Sequence, residues 1–200
     1  MDESLLTKVI EHSDPNGRAF LVERLERGMD VADIPCHMDY KAGCEPCEMM
    51  GKNLACPPYS PYLPDYIDGA ARATAVCYRV PLEQFMNTIP EERYWDAYRM
   101  VRGMLYAELL EWRARGHAVA GSGPCDSCPE CVALKGGTQC LFPGKRIYSL
   151  ESMGVSVVLF SERAFGLKLD WSGRDNSAEF VSSIGAVFSV ERTGDTKRPS

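Results

Sequence analysis

Apolar and polar positions follow several different periods along the 200-residue chain. The longest regular segment runs from Pro90 to Arg115, and its apolar side chains recur at steps of three and four residues: Tyr94, Tyr98, Val101, Leu105, Leu109 and Trp112. This spacing predicts an amphipathic helix with one apolar stripe. Gly116 follows it as a suitable stop.

Two shorter segments near the start, residues 3–12 and 18–30, are also predicted as helices. In the second, Phe20, Leu21, Leu25 and Met29 would lie near one face of a helix.

Three later segments predict strands. Residues 66–80 (YIDGAARATAVCYRV) predict a short helix and then a strand that ends before Pro81, in which Thr74, Val76 and Val80 are β-branched. Residues 117–121 (HAVAG) predict a second strand, and residues 178–190 (AEFVSSIGAVFSV) predict a buried third one. Between these two, Ser149 is placed to cap a short helix before a strand or a further helix.

Two stretches have no sustained period and are rich in Cys, Pro and Gly. We call residues 35–64 the first cysteine loop and residues 121–145 the second cysteine loop. We therefore predict a single compact α/β domain over residues 1–190, with a few-stranded sheet, one long helix and two irregular cysteine loops. Residues 191–200 are polar and predict a flexible tail.

Composition narrows the class of protein. A hydrophobic content of 45% fits a folded globular chain, and the net charge of -6 argues against binding of nucleic acid. The first residues carry Asp and Glu where a signal peptide would carry Lys or Arg, and no apolar run of about 18 residues is present to cross a membrane. We therefore expect a cytoplasmic protein with no membrane contact. In a reducing compartment, nine cysteines point to metal, catalysis or redox chemistry rather than structural disulfides.

The cysteine spacing repeats between the two loops. In each loop a C-x2-C pair is followed after eight residues by another cysteine, and one more cysteine precedes the pair. Each loop therefore offers four thiols as candidate ligands: Cys36, Cys44, Cys47 and Cys56 in the first, and Cys125, Cys128, Cys131 and Cys140 in the second.

Cys125, Cys128 and Cys131 stand at positions i, i+3 and i+6. Consecutive sulfurs of this kind suit the separate irons of a [4Fe–4S] cluster, whereas a single zinc ion normally takes two sulfurs from one C-x2-C pair and two from a distant one. We therefore expect two [4Fe–4S] clusters as cofactors, with zinc or a redox disulfide system as alternatives. The spacing leaves open which cysteine serves which cluster, because the last cysteine of a run binds the other cluster in two-cluster ferredoxins.

Several neighbouring residues have a functional and an ordinary interpretation. Cys36 stands well before the C-x2-C pair of its loop and could be a bystander, and His37 could replace it as a ligand. Cys77 is expected to pack as a small apolar residue in its strand. Lys145 and Arg146 could offset the charge of an anionic cluster or lie in solvent.

The sequence resembles a known family on three motifs. These are GCEPCEMMGKNLACPP (residues 43–58), GPCDSCPECVALKGGTQC (residues 123–140) and YSLESMGVSVV (residues 148–158). They are similar to a family of small predicted metal-binding proteins of unknown function from anaerobic bacteria and methanogenic archaea. The resemblance covers about residues 30–190 and implies cluster binding by the cysteines of both loops, without implying a reaction.

If all eight cysteines bind, each iron of the two clusters has a cysteine ligand and none is open to substrate. This arrangement favours one-electron transfer. We expect a ferredoxin-like electron carrier or reductive activator whose acidic surface docks on a partner redox protein; its oligomeric state stays open. One alternative is an enzyme in which one cluster has three cysteine ligands and an open iron, with His37, Glu45 or Glu48 moving protons. A zinc-stabilised interaction module is another.

Overall fold

One mixed sheet organises the chain. The computed structural model describes residues 4–169 and 178–189. Within them the strands are β1 (Leu6–Ser13), β2 (Ala19–Asp30), β3 (Arg72–Pro81), β4 (Ala118–Gly121), β5 (Tyr148–Ser149) and β6 (Phe180–Ser189), and the α-helices are α1 (Leu63–Tyr66), α2 (Pro90–Ala114) and α3 (Val157–Phe165). The six strands lie in the order β1, β2, β3, β6, β4, β5. Only β4 and β5 pair in parallel among these neighbours.

The two helices predicted at the start of the chain are wrong, because both segments form the β1–β2 hairpin. Phe20 and Val22 pack towards α2, whereas Leu25 and Met29 pack on the opposite face of the sheet. A turn joins the strands, in which Asp14 Oδ1 accepts from the N–H groups of Asn16 and Arg18, both at 2.9 Å. The side chains of β2 therefore alternate with a period of two, as in any strand. The alternation of apolar and polar residues is hidden because β2 buries apolar side chains on both faces of the sheet.

The short helix predicted within residues 66–80 is wrong, because α1 ends at Tyr66 and a turn leads into β3. The later elements are confirmed. Helix α2 spans Pro90–Ala114 and ends at Gly116, whose φ of +90° suits glycine. Strands β3, β4 and β6 lie where the pattern placed them. After Ser149 the chain continues into a 3₁₀ helix, Glu151–Met153, and then α3, so the second of the two expected outcomes holds. The predicted flexible tail lies outside the described residues.

The sheet separates two apolar cores. Helix α2 covers one face, where Val101, Leu105 and Leu109 are fully buried. Helix α3 and part of the first cysteine loop cover the other face, where Leu63, Met153 and Phe160 are buried. The result is a single compact α/β domain.

Cys36 and Cys125, one from each cysteine loop, both pack against the α3-side core. That core therefore fixes the positions from which the two loops start. No helix in the described part of the chain is both long and apolar enough to cross a bilayer.

Candidate metal centre

The first cysteine loop is a succession of tight turns. A 3₁₀ helix spans Met38–Cys44, and the N–H of Cys47 then donates to the carbonyl of Cys44 at 3.1 Å. A later turn brings the N–H of Cys56 to the carbonyl of Asn53 at 2.9 Å. Each turn closes over three residues, so short backbone links set the positions of Cys44, Cys47 and Cys56.

The first loop is fastened to the segment that follows β5. The N–H of His37 donates to the carbonyl of Gly154 at 2.8 Å, and Ser60 Oγ donates to the carbonyl of Ser152 at 2.7 Å. The 3₁₀ helix Met38–Cys44 packs directly on the 3₁₀ helix Glu151–Met153. The motif around Glu151 is therefore part of the wall of the first loop.

Helix α2 holds the second cysteine loop through Arg102. Its guanidinium donates to the carbonyl of Ser122 at 3.0 Å, donates to the carbonyl of Pro124 and pairs with Asp126. The backbone at Gly123 has a φ of +68°, and a Cβ there would lie 2.9 Å from the hydroxyl of Tyr98. This glycine therefore lets the loop lie close to α2.

Two hydrogen bonds join the cysteine loops. Asn53 Nδ2 donates to the carbonyl of Cys125 at 2.7 Å, and the N–H of Leu54 donates to Cys131 Sγ at 3.4 Å. Asn53 is itself fixed, because its Oδ1 accepts from the N–H of Ala55 at 2.9 Å. Two stretches of chain about 70 residues apart are therefore in direct contact.

The thiols influence one another's pKa. Burial raises the pKa of Cys56 to about 12, and the charges of Cys47, Cys44 and Cys125 add to that rise. Desolvation raises the pKa of Cys128 as well, with contributions from Cys140, Cys125 and Cys131. Cys125 contributes to both shifts, and its carbonyl is the group that Asn53 bonds.

Cys36 lies in a different environment. Its backbone forms an isolated antiparallel bridge with Val155, and its thiol points to the carbonyl of Met153 at 3.9 Å. Burial raises the pKa of Cys36, and a hydrogen bond with Tyr62 lowers it. The described contacts of this thiol are thus with a carbonyl and a phenol.

The other candidate residues named from the sequence make no contact with the cysteine thiols among their described interactions. His37 pairs with Asp39 at 3.2 Å, and both side chains are exposed. Cys77 is fully buried in β3. Lys145 lies 5.9 Å from the ring of Phe142. Glu45 and Glu48 are exposed on the first loop.

Sequence reasoning gave no role to Asn53, Arg102 or Glu151. Glu151 could have been noticed, because it is the one acidic residue between Ile147 and Phe160, in an otherwise apolar and small-residue segment. Asn53 and Arg102 have no comparable signal, since their partners lie 72 and about 20 residues away along the chain.

Among residues 4–169 and 178–189, no three His, Cys, Asp or Glu side chains stand close enough to hold one metal ion. The sequence model of a family described as "Predicted metal-binding protein (DUF2284)" matches residues 27–188. Neither a curated protein nor a solved structure matches the chain.

Proposed function

Because the chain belongs to the DUF2284 family of predicted metal-binding proteins, we propose that its cysteine loops hold two [4Fe–4S] clusters and that it is a small electron carrier or reductive activator. Its partner would be a larger redox enzyme that docks on the side where the thiols are accessible. The observation that carries this proposal is the joining of the two loops by the Asn53 and Leu54 hydrogen bonds.

The donor set fits iron–sulfur clusters. The side chains concerned are thiols, which are the usual ligands of such clusters. The N–H of Leu54 donates to Cys131 Sγ, and hydrogen bonds to the sulfurs are one of the means by which a protein adjusts a cluster's potential. Desolvation, and then the neighbouring cysteines, raise the pKa of Cys56 and of Cys128, and a bound cation would favour their thiolate forms.

The residues of the first cysteine loop differ in their exposure to solvent. Leu54, Ala55 and Cys56 are buried, so water is excluded where the first loop meets the second. Cys47 of the first loop, in contrast, is exposed. [4Fe–4S] clusters held by the cysteines of the two loops would supply one-electron transfer. The exposed side around Cys47 is where a partner protein could approach.

The location of Cys36 favours a second candidate function. If its thiol stays with Met153 and Tyr62, cysteine supplies seven ligands instead of eight. One iron would then lack a cysteine ligand, as in an enzyme that binds substrate at a cluster. His37, Glu45 and Glu48 lie exposed on the same loop and could serve proton transfer there.

EPR of the dithionite-reduced protein, reconstituted anaerobically, tests the carrier role. We expect signals of reduced clusters in the wild type and in Cys77→Ala, because Cys77 is buried in β3 away from the loops. We expect the Cys44→Ala/Cys128→Ala double variant to lose most of the signal. A colourless wild-type protein with no signal would reject the proposal.

A further inference from the structure

Glu151 is a partly buried acidic residue beside the first cysteine loop, and one of its carboxylate oxygens has no hydrogen-bond partner in the described structure. It begins the 3₁₀ helix Glu151–Met153, which packs on the helix that ends at Cys44. Its carboxylate oxygen Oε2 is shielded from solvent and has no hydrogen-bond partner within the described residues. A shielded carboxylate without a partner is unfavourable by several kcal/mol, as a rule, unless it is paired or binds a metal.

The surroundings of Glu151 point towards the first loop. Ser60 Oγ donates to the carbonyl of Ser152 at 2.7 Å, and the N–H of His37 donates to the carbonyl of Gly154 at 2.8 Å. The short segment that begins with Glu151 is therefore bonded to the first loop. Desolvation raises the pKa of Glu151 itself, although its own N–H and Ser149 act in the opposite direction.

No cation neutralises Glu151 by direct contact in the described structure. Arg102 is the basic residue that acts on its charge. The guanidinium of Arg102, however, gives its hydrogen bonds to Ser122, Pro124 and Asp126. The Oε2 oxygen of Glu151 is thus left for another partner.

Cys36, the fourth sulfur of the first loop by sequence, has contacts of its own. Its thiol contacts the carbonyl of Met153 and the hydroxyl of Tyr62, and its backbone is paired with Val155. The residue two positions before Val155 is Met153, so Cys36 lies on the far end of the same short segment that begins with Glu151.

We propose that the Glu151 carboxylate is the fourth protein ligand of the first cluster, beside Cys44, Cys47 and Cys56, and that Cys36 is not a ligand. The second cluster then takes Cys125, Cys128, Cys131 and Cys140. This inference rests on the proposed function, because it requires clusters to be bound. It replaces the open iron of the second candidate function with an iron held by oxygen.

Carboxylate is a harder ligand than thiolate and holds an iron of a cluster less firmly. Glu151 would therefore mark one iron that leaves more readily than the other seven. Under ferricyanide, the cluster gives one electron to the oxidant and releases that iron as Fe²⁺, so the cluster charge falls from +2 to +1. A thiolate at the same position should prevent the loss.

The test compares iron and acid-labile sulfide in wild type, Glu151→Gln, Glu151→Cys and Cys36→Ala, before and after brief ferricyanide treatment. We expect wild type and Cys36→Ala to start with eight irons and to lose one. Glu151→Cys should keep all eight after treatment, and Glu151→Gln should lack between one and four irons before it. Glu108→Gln is the matched control for loss of a carboxylate, because this acid lies on α2 and bonds Arg24; its iron and sulfide contents should equal those of wild type before and after treatment.

Folding is not expected to confuse the result, because Glu151→Gln removes a desolvated charge; circular dichroism of each cluster-free variant checks this. The inference is overturned if Cys36→Ala lacks iron while both Glu151 variants match wild type, or if all variants match wild type. Absence of sulfide in the wild type would instead remove the proposed function itself. The two failures are therefore distinct.

Discussion

At the scale of single residues, the cysteines divide by surroundings. Cys77 is fully buried in β3, and burial raises its pKa to about 12. Cys47 is exposed on the first loop. A thiol reacts as its thiolate, so the two should differ sharply in reactivity when no metal is bound.

Labelling of the metal-free protein with a thiol reagent at pH 8 checks this difference. With a pKa of about 12, roughly one Cys77 side chain in 10,000 is ionised at that pH. We expect Cys77→Ala to leave the fast-reacting thiols unchanged and Cys47→Ala to remove one of them. Rapid reaction of Cys77 in the folded protein would contradict its burial in β3.

Glu108 forms the other notable polar centre. Its carboxylate accepts from Arg24 Nε at 2.8 Å and from the hydroxyl of Tyr78 at 2.7 Å. Burial acts to raise its pKa, but these hydrogen bonds prevail and the pKa lies below the ordinary value. The cluster links α2 to strands β2 and β3.

Glu108→Gln should lower the free energy of unfolding by about 1–2 kcal/mol at pH 7, because Arg24 loses one of its two carboxylate partners and keeps Glu26 at 2.6 Å. Since the folded pKa lies below the unfolded one, the contribution of Glu108 is fully present above about pH 5 and is lost as the pH falls through the folded pKa. Urea unfolding at pH 7 and pH 3.5 measures this.

The gap between wild type and Glu108→Gln should therefore narrow at pH 3.5. A gap that stays constant with pH would contradict the role of the carboxylate charge. Glu111→Gln serves as the control, because Glu111 and Arg115 form an exposed pair at 3.7 Å and such pairs contribute little.

Among the secondary-structure elements, those with a regular pattern and a single buried face could be predicted from the sequence. The apolar stripe of α2 has a single covered face, so its period survives in the sequence. The β1–β2 hairpin lies at the sheet edge, where Val9 and Leu21 are exposed and the alternation is blurred. Its charged residues, among them Glu23 and Arg24, favour helix locally but are held in the strand by pairing with Arg79 and Glu108.

Strand β6 packs closely at Gly185. A Cβ added there would lie 2.6 Å from the carbonyl oxygen of Ala120 and 3.1 Å from Leu109 Cδ1. Gly185→Ala should therefore lower the free energy of unfolding by about 1–3 kcal/mol, since backbone and core must shift. Thermal or urea unfolding of the metal-free protein measures it.

Gly103→Ala is the matched comparison. Gly103 lies inside α2 on the exposed side, and a Cβ added there would meet nothing within 4 Å. This substitution should stabilise the protein by about 1 kcal/mol, because alanine favours helix. Equal effects at the two glycines would contradict the close packing of β6 against β4 and α2.

At the scale of the whole molecule, the sequence indicated two loops with equivalent cysteine spacing but not their contact. The chemistry of the candidate ligands follows from residue type and spacing, which are local. The meeting of Asn53 with Cys125, and of Leu54 with Cys131, depends on how the loops are carried by the α3-side core. Such contacts between distant segments leave no periodic trace in the chain.

The same reason explains the separate placement of Cys36 and the proximity of Glu151 to the first loop. Both follow from the packing of the 3₁₀ helix Glu151–Met153 on Met38–Cys44. A count of cysteines gives two equal quartets, whereas the folded chain places the Cys36 thiol at the carbonyl of Met153 and packs the segment of Glu151 on the first loop. The site is therefore a property of the assembled domain.

The most direct test of the account is the metal and acid-labile sulfide content of the full chain, prepared and reconstituted without oxygen. We expect eight irons and eight sulfides per chain, with Cys77→Ala equal to wild type. Zinc at one or two ions per chain with no sulfide would contradict the account.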